Sequence, residues 1–290
     1  MSMPEVISTI AELHDRLGQA RERAALTGSD TRIVLVPTMG ALHAGHLALV
    51  RRAHTLGDIV VVSIFVNPLQ FGAGEDLDSY PRTRDADLAA LALENVSFVF
   101  APSAREMYPG GAIDTRINAG AVGFLYEGAA RPGHFDGMLT VVAKLLSIVT
   151  PDAAVFGQKD GQQAFLVRRM VADLNLRTVI EVVDTVREPS GLALSSRNRY
   201  LDGQQHTAAE ALFSALTAAA RNAQDGPAAA LAAAYAQIAA QPLVKLDYLV
   251  IVHPQTLLAV HDDYRGPARM LVAAWVGTTR LIDNAPLSFG

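Results

Sequence analysis

Apolar residues follow two alternating patterns over the first two-thirds of the chain. Residues 5–26 have apolar positions at helical spacing and no internal breaker, which predicts a helix over that whole range. Short β-branched runs without polar alternation predict strands that are covered on both faces, as in a parallel sheet. The predicted strands are 33–36, 58–66, 96–100, 153–156 and 178–183, and the predicted helices among them are 47–56, 85–93, 137–149 and 161–174.

The pattern changes after about residue 186. Residues 207–240 are rich in alanine, and a break at 225–227 divides them into two predicted helices. Short strands are predicted at 246–252, 269–276 and 279–281. Strands that alternate with helices indicate a doubly wound, Rossmann-like α/β fold with a parallel sheet. We therefore predict a Rossmann-like domain over residues 1–185 and a smaller α+β lid domain over residues 186–290.

The composition excludes several kinds of function. The 290-residue chain is 50% hydrophobic, and its formal net charge of −5 argues against a surface that binds nucleic acid. It has no cysteine, which excludes a disulfide framework, a thiolate nucleophile and cysteine-ligated zinc. The N-terminus has no apolar signal region, and no window of about 18 residues is uninterruptedly apolar. We expect a cytoplasmic protein without a membrane span.

The turn after the first predicted strand carries candidate phosphate-binding residues. Gly40 and Gly45 have the spacing of a Walker A loop, but His46 and Leu47 replace its lysine and its serine or threonine, so a P-loop is excluded. His43 and His46 remain, at a helix start where N–H groups favour an anion. Such a pair is commonly satisfied by the loop backbone, and zinc would need a third ligand. The strand–turn–helix context favours imidazole donation to a phosphate.

Two further strand ends carry polar side chains. Asn67 and Gln70 follow the strand predicted at 58–66, at the edge where open α/β sheets bind ligands. Lys159 and Asp160 follow the strand predicted at 153–156. Taken alone, the first pair is only a polar turn, and a lysine at a strand end is more often solvated. Beside a phosphate loop, the lysine can neutralise charge on ATP and the aspartate can accept hydrogen bonds from ribose hydroxyls.

A compact group of donors lies at Ser195, Ser196 and Arg197. Two hydroxyls followed by a guanidinium are suited to a phosphate. Serine is also a favoured residue for capping the start of a helix. The segment alone does not decide between these two interpretations.

Together these segments resemble one known family. The stretch VPTMGALHAGHLALVRRA at 36–53 is similar to the H-x-G-H signature of the nucleotidylyltransferase superfamily and, over its whole length, to the pantothenate synthetase family. Four more blocks follow in the family's order: VNPLQFG at 66–72, RPGHFDG at 131–137, FGQKDGQQ at 156–163 and GLALSSRN at 191–198. The region at 277–284 resembles that family more loosely.

The resemblance implies an enzyme that joins pantoate to β-alanine through a pantoyl adenylate, with ATP consumed and pyrophosphate and AMP released. It also implies a homodimer and Mg²⁺. Pantoate would be held by Gln70, Gln163 and Asn67. The residues implied to bind ATP are Met39, Gly40, Ala41, Leu42, His43, Ala44, Gly45, His46, Gly157, Gln158, Lys159, Asp160, Val186, Leu194, Ser195, Ser196 and Arg197. The residues implied to act in catalysis are His43, His46, Lys159, Ser195, Ser196 and Arg197, with His46 first for stabilising or protonating the leaving pyrophosphate.

Some positions depart from the family pattern. Gly161 stands where the family commonly has a bulky aromatic residue, which we expect to loosen the cavity and soften the helix start. Family members often carry acidic residues that are assigned to Mg²⁺ after a Y-P-R-T segment. Here Asp87 is the matching carboxylate, and Ala86 stands at another such position. Asp85 and Asp87 are equally interpretable as exposed charges at a helix start. Magnesium that arrives with ATP, held by phosphates and water, is the favoured interpretation.

Two other functions stay open at this level. An adenylyl- or cytidylyltransferase of the same superfamily would release pyrophosphate without needing β-alanine, although a phosphorylated acceptor would require additional arginine or lysine. The second is a non-catalytic nucleotide-binding protein of the same fold. The joint presence of His43, His46, Lys159 and Arg197 argues against it.

Overall fold

A parallel sheet organises the first two-thirds of the chain. The computed structural model describes residues 3–72, 74–111 and 113–290. In this part of the chain six strands pair in parallel, in the order β1-β4-β3-β2-β5-β6. The strands are β1 (Glu5–Ile7), β2 (Ile33–Thr38), β3 (Ile59–Ile64), β4 (Phe98–Phe100), β5 (Ala153–Gly157) and β6 (Val179–Val183). The predicted parallel α/β sheet is confirmed.

Helices cover both faces of the central strands. The helices of this region are α1 (Ile10–Leu26), α2 (Ala44–His54), α3 (Arg84–Leu93), α4 (Ala104–Met107), α5 (Glu127–Ala130), α6 (His134–Val149) and α7 (Gly161–Asp173). Val34 and Val60 pack with Val50 of α2 in one buried cluster. Leu35 and Val61 alternate with these strand residues and are equally buried on the opposite face. Burial on both faces explains why β2 and β3 lack polar alternation.

The prediction of a helix over the whole of residues 5–26 is wrong at its start. Glu5–Ile7 form strand β1, which pairs with Phe98–Phe100 of β4. Helix α1 begins after Thr9, whose side-chain oxygen accepts a hydrogen bond from the Glu12 N–H. A three-residue strand is too short to show an alternating pattern, so only its pairing with a distant strand distinguishes it from a helix start. The other predicted elements of the sheet region are present with ends shifted by a few residues.

The C-terminal region forms an antiparallel sheet with two helices. Its elements are α8 (Gly203–Arg221), α9 (Pro227–Ala239), β7 (Val244–Val252), β8 (Gly266–Val276) and β9 (Thr279–Phe289). The sheet order is β7-β8-β9. Ala209, Ala215 and Ala230 are fully buried in a core shared with Met270, so the alanine-rich tract is a packing surface. Strand β9 is much longer than the predicted 279–281 because β8 pairs along its full length.

The described residues divide into two compact units. The first unit contains the described residues up to Gly157 together with Leu166–Val183. The second unit contains Gln158–Phe165 together with Asp184–Gly290. Helix α7 therefore begins in the second unit and ends in the first. Throughout the described ranges, every helix is too short or too polar to cross a membrane.

Candidate active site

The turn between β2 and α2 places two histidines at the start of the helix. His43 is the N-cap residue of α2, and its Nδ1 accepts a hydrogen bond from the Gly45 N–H at 3.1 Å. The Nδ1 of His46 accepts from the His43 N–H at 3.3 Å, and the two ring centroids are 4.1 Å apart. The pair forms a reciprocal cap in which imidazoles replace the usual serine and glutamate.

These hydrogen bonds determine which ring nitrogen carries the proton. A ring nitrogen that accepts a main-chain N–H is not itself protonated, so each neutral ring carries its hydrogen on Nε2. His43 and His46 therefore use Nδ1 for the loop and present Nε2 as a donor. The two interpretations of the histidines, a hydrogen bond to the loop backbone and donation to a phosphate, are compatible because they use different nitrogens of the same ring.

The residues before this cap have a left-handed backbone. The φ angle is 80° at Gly40 and 51° at Ala41. A left-handed residue other than glycine costs about 1–2 kcal/mol, so the surroundings must hold Ala41 in place. The carboxylate of Asp87 in α3 accepts hydrogen bonds from the N–H groups of Ala41 at 3.0 Å and Leu42 at 2.8 Å. Asp87 is buried, so its interpretation as an exposed charge is wrong, whereas Asp85 is exposed as expected.

A polar network fixes the orientation of the Gln70 side chain. Asn67 donates from Nδ2 to Gln70 Oε1 at 3.0 Å and to the Gly137 carbonyl at 3.1 Å. Asn67 Oδ1 accepts from the Tyr108 hydroxyl at 2.7 Å. Burial raises the pKa of Tyr108 to about 12, so this hydroxyl keeps the proton that it donates. Because the amide oxygen of Gln70 is engaged, its Nε2 faces the other way, 3.3 Å from the Met39 sulfur.

The main chain of Gln70 is held by the segment at 131–137. His134 Nδ1 donates to the Gln70 carbonyl at 2.8 Å, and Arg131 donates to His134 Nε2 at 3.1 Å while it pairs with Glu75. Burial, together with the charge of Arg131, lowers the pKa of His134 to about 4. The ring is therefore neutral and supports Gln70 without adding a charge. The sequence indicated this segment only as one of the blocks that resemble the family, and it did not single out Arg131 or His134.

The second unit contains the predicted lysine in a short turn. Gln158–Asp160 form a 3₁₀ turn before α7. Asn284 of β9 donates from Nδ2 to the carbonyls of Gln158 at 2.8 Å and Lys159 at 2.9 Å. Lys159 Nζ is 3.5 Å from Asp160 Oδ1. The main chain that carries Lys159 is thus fixed by a residue 125 positions further along the chain.

Gly161 permits the close approach of Asn284 to this turn. A Cβ built at residue 161 would lie 3.1 Å from Asn284 Nδ2 and 3.2 Å from Gln158 Nε2, both tighter than ordinary contacts. This is a consequence of the glycine that the sequence did not predict. The expectation that Gly161 loosens the substrate cavity is a separate prediction, which this contact does not test.

A buried ion pair lies beside Asn284. Arg187 donates to both carboxylate oxygens of Asp283, at 2.5 and 3.0 Å, and its guanidinium is 4.6 Å from the centre of the Phe213 ring. Burial raises the pKa of Asp283, although the hydrogen bonds and charge of Arg187 oppose that shift. Asp283 Oδ1 also accepts from the Asn284 N–H at 2.7 Å. The ion pair therefore helps to orient the residue that supports Lys159.

The serine-rich segment lies close to the lysine within the second unit. Ser195 Oγ accepts from the Arg197 N–H at 3.2 Å and caps the 3₁₀ helix Ser196–Tyr200, so the capping interpretation is confirmed for Ser195. A cavity of about 10 Å³, the size of one water molecule, is lined in part by Lys159, Ser195 and Asn198. The structure therefore brings the predicted lysine and serine to one small cavity, whose lining also includes Leu192, Leu212 and Leu281.

The remaining predicted residues lie on the same elements. Ala44 and Gly45 form the first turn of α2, Gly157 ends β5, and Gln163 is half-buried in the first turn of α7. Val186 accepts the Leu194 N–H at its carbonyl at 3.0 Å, which engages one of its main-chain groups. The residues that the sequence missed are those that hold the predicted ones in place: Asp87 as a loop support, Tyr108, His134, Arg187, Asp283 and Asn284.

Comparison with known proteins decides the family. A family model described as pantoate-beta-alanine ligase matches residues 5–286 of the chain. The chain is 61% identical over 283 residues to the pantothenate synthetase of Leifsonia xyli subsp. xyli, which covers 96% of this chain and 98% of that protein. The chain belongs to the pantoate–β-alanine ligase family. A pantothenate synthetase from Thermobifida fusca is 52% identical over 278 residues, covering 93% of this chain and 94% of that protein.

Solved structures of pantoate–β-alanine ligases share this fold. The pantothenate synthetase of Thermus thermophilus matches with a TM-score of 0.89 at 46% identity, covering 97% of this chain and 98% of that one. The pantoate–β-alanine ligase of Francisella tularensis, solved in complex with β,γ-ATP and β-alanine, matches with a TM-score of 0.79 at 34% identity and 97% coverage of both chains. The resemblance found in the sequence and its predicted fold class are confirmed.

Proposed function

We propose that the protein catalyses the ATP-dependent ligation of pantoate and β-alanine through a pantoyl adenylate. A carboxylate oxygen of pantoate attacks the α-phosphorus of ATP, and the bond to the leaving pyrophosphate breaks. The amine of β-alanine then attacks the activated carbonyl carbon, loses a proton and displaces AMP. The names of the Leifsonia and Thermobifida relatives, and the ligands of the Francisella structure, support this assignment.

The observation that supports the first step most directly is the pair of imidazole donors at the start of α2. Negative charge grows on the leaving pyrophosphate as its bond to the α-phosphorus breaks, and donors that are already in place stabilise it without reorganisation. The rings of His43 and His46 are held through Nδ1, so each neutral ring carries its hydrogen on Nε2, the nitrogen that we assign to phosphate binding. We assign both residues to the phosphates, with His46 at the leaving pyrophosphate.

We assign Lys159, Ser195, Ser196 and Arg197 to the phosphates of the same ATP molecule. Neutral imidazoles supply directional hydrogen bonds but no charge, whereas lysine and arginine supply the positive charge that a triphosphate requires. Lys159 and Ser195 lie close together, since both line one small cavity, and this proximity supports their joint assignment. The nucleoside is assigned to the following residues: Gly157, Gln158, Asp160, Val186 and Leu194.

We assign pantoate to Gln70 and Gln163, with Asn67 acting through Gln70 because its own amide groups are engaged within the protein. The Asn67 side chain donates to the oxygen of the Gln70 amide, and Gln70 Nε2 donates one hydrogen to the Met39 sulfur, so its second Nε2 hydrogen is the one assigned to a ligand. An amide donor suits the oxygens of a small hydroxy acid. Because it is uncharged, it orients the pantoate carboxylate without pairing with the charge that makes this group a nucleophile.

This chemistry requires no nucleophile from the protein. The two bond-forming steps join substrate atoms only, so the tasks of the protein are to align the reacting groups and stabilise developing charge. This agrees with a chain that has no cysteine.

We further propose that ATP arrives with Mg²⁺ and that the protein works as a cytoplasmic homodimer, as the family resemblance implies. Magnesium keeps several waters and binds readily to phosphate oxygens, which supports a metal that is held mainly by its nucleotide. Light scattering in solution should give a mass twice that of the 30.8 kDa chain. A mass equal to one chain would remove the homodimer.

The order of product release tests the proposed reaction. ATP and pantoate alone should yield pyrophosphate, and AMP should follow only when β-alanine is added. The matched control omits pantoate and should release neither product. Pyrophosphate release with a different acceptor and indifference to β-alanine would indicate another nucleotidylyltransferase. ATP binding without any pyrophosphate release would favour a non-catalytic protein.

A further inference from the structure

The carboxylate of Asp87, which belongs to α3, binds the turn that carries His43 and His46; we call this segment, residues 39–46, the histidine turn. Asp87 lies in the first turn of α3 and is only 3% exposed. Its Oδ2 accepts from the Ala41 N–H at 3.0 Å, and its Oδ1 accepts from the Leu42 N–H at 2.8 Å. Oδ1 also accepts from the Thr83 hydroxyl at 3.1 Å. Both carboxylate oxygens are therefore engaged.

The main chain before His43 is shaped to receive such a group. Gly40 and Ala41 both have positive φ angles, and successive residues in turns of this kind can aim consecutive N–H groups at one anion. The fit is close, because a Cβ at residue 40 would lie 3.1 Å from Asp87 Oδ2 and 3.1 Å from Ile64 Cγ2. The carboxylate takes the N–H groups that precede the helix cap and leaves the cap itself to the histidines.

These contacts do not agree with a role for Asp87 as a magnesium ligand. Mg²⁺ requires near-octahedral oxygen coordination and keeps several waters, which fits poorly at a buried carboxylate that already accepts three hydrogen bonds from N–H and O–H donors. Within the described ranges, there is also no cluster of three or more histidine, aspartate or glutamate side chains arranged to hold a metal. Metal coordination by Asp87 would have to compete with the hydrogen bonds from Ala41 and Leu42 for the same two oxygens.

We propose that Asp87 is a positioning residue, which fixes the left-handed turn before His43 and thereby aims the two imidazoles, and that it does not ligate Mg²⁺. This inference rests on the proposed adenylate-forming reaction. The residue acts through the turn and does not touch ATP. Thr83 contributes to the same support, because its hydroxyl donates a hydrogen bond to the Asp87 carboxylate and orients it.

The test replaces Asp87 with asparagine. Asp87→Asn keeps the shape but sets an NH₂ group against one of the two main-chain donors. We expect the kcat/KM for ATP in pyrophosphate formation to fall by roughly 10–100-fold, since misplacement of reacting groups by about 1 Å costs on that order. The KM for pantoate should change much less. The Mg²⁺ concentration that gives half-maximal activity should stay at its original value.

The matched control is Asp85→Asn, which removes the same charge from the same first turn of α3 but from an exposed carboxylate. Its kinetic constants should remain within about twofold of the original, the scale expected of an exposed residue away from the turn. An Asp87→Asn protein with unchanged kinetics would overturn the proposal. So would one whose activity is restored by excess Mg²⁺, because that behaviour belongs to a lost metal ligand.

A second pair of variants keeps the test decisive if Asp87→Asn does not fold. Thr83→Val removes the hydroxyl that orients the carboxylate, and Thr83→Ser keeps it. We expect the valine variant to raise the KM for ATP by roughly 2–5-fold, on the scale of one lost hydrogen bond, and the serine variant to behave as the original. Equal behaviour of the two variants would contradict the proposal.

Failure of the proposed reaction is a separate outcome. If the unaltered protein releases no pyrophosphate from ATP and pantoate, the assigned reaction is wrong. Calorimetric affinities of Asp87→Asn and Asp85→Asn for a non-hydrolysable ATP analogue then test the positioning role alone. A weakened affinity confined to Asp87→Asn would support it, and equal affinities would overturn it.

Discussion

Each unit carries a segment that we assign to the phosphates of ATP and that is held by a polar side chain from far along the chain, but the two supports have opposite chemistry. In the first unit, the carboxylate of Asp87 accepts hydrogen bonds from the N–H groups of Ala41 and Leu42. In the second unit, the amide of Asn284 donates to the carbonyls of Gln158 and Lys159. One turn is held by an acceptor and the other by a donor.

The difference follows from which main-chain groups of each turn need a hydrogen-bond partner. It also affects the charge that each turn presents to the assigned phosphates. The left-handed turn before α2 has the N–H groups of Ala41 and Leu42 to satisfy, and an anion does this best. The turn at Lys159 has carbonyls to satisfy, and a neutral amide does so without reducing the charge of the lysine. We infer that the first unit supplies directional hydrogen bonds from neutral imidazoles and that the second supplies positive charge.

The largest expected effect comes from the donors of the first unit. His46→Ala should lower the rate of ATP–pyrophosphate exchange by about 10²–10³-fold, because one preorganised donor to a developing charge is lost. His54→Ala, at an exposed position on the same helix, is the control and should exchange normally. Far-ultraviolet circular dichroism should show both proteins folded. Near-normal exchange in His46→Ala would remove this residue from the mechanism.

The buried imidazole of His134 should make the stability of the protein depend on pH. Burial lowers the pKa of His134 to about 4, whereas the unfolded value is 6.5. As the pH falls from 6.5 to 4, the unfolded state binds a proton that the folded state excludes, so the free energy of unfolding should fall by about 3 kcal/mol. Urea unfolding of the original protein and of His134→Gln at pH 7 and pH 4.5 measures this. The variant should lose less stability, and equal losses would contradict the assignment.

A third variant separates the substrates. Gln163→Ala should raise the KM for pantoate by roughly 10–100-fold, the range expected for losing a hydrogen bond to a charged group, and should change the KM for ATP far less. Gln237→Ala, at an exposed position on α9, is the control. Steady-state kinetics with each substrate varied in turn gives both constants. Equal effects on pantoate and ATP would show that Gln163 does not bind pantoate selectively.

The smallest expected effect tests the support of the second unit. Asn284→Ala removes two donors to main-chain carbonyls and should raise the KM for ATP by up to about tenfold, on the scale of one or two neutral hydrogen bonds. Asn222→Ala removes a comparable 2.8 Å bond to the Ala218 carbonyl, away from Lys159, and should leave kinetics unchanged. If both variants behave alike, Asn284 contributes only to folding.

The fold and the candidate site residues were largely predictable from the sequence because both depend on local patterns. Buried β-branched runs predicted the strands of the sheet, and the spacing of His43 and His46 indicated a phosphate turn. The short strand Glu5–Ile7 was missed because its pairing partner is distant. Asp87 was interpreted as a metal ligand or an exposed charge because a sequence does not show that α3 brings it to residues 41 and 42.

The supports of the site were missed for the same reason. Asn284 and Tyr108 act on residues that are distant in the chain, at 125 and 41 positions, and their own surroundings carry no motif that predicts this contact. The segment at 277–284 did match the family, which indicated importance but not a role. Contacts across such distances require the folded structure.

We infer that the histidine turn (residues 39–46) and the lysine turn (residues 158–160) serve the same half-reaction, the formation of the adenylate. Single-turnover formation of pantoyl adenylate from ATP and pantoate, measured by rapid quench in His46→Ala and Lys159→Ala, tests it most directly. We expect both variants to form the adenylate at least about tenfold more slowly than the original protein, in line with the loss of one electrostatic group. Formation at the original rate in either variant would contradict it.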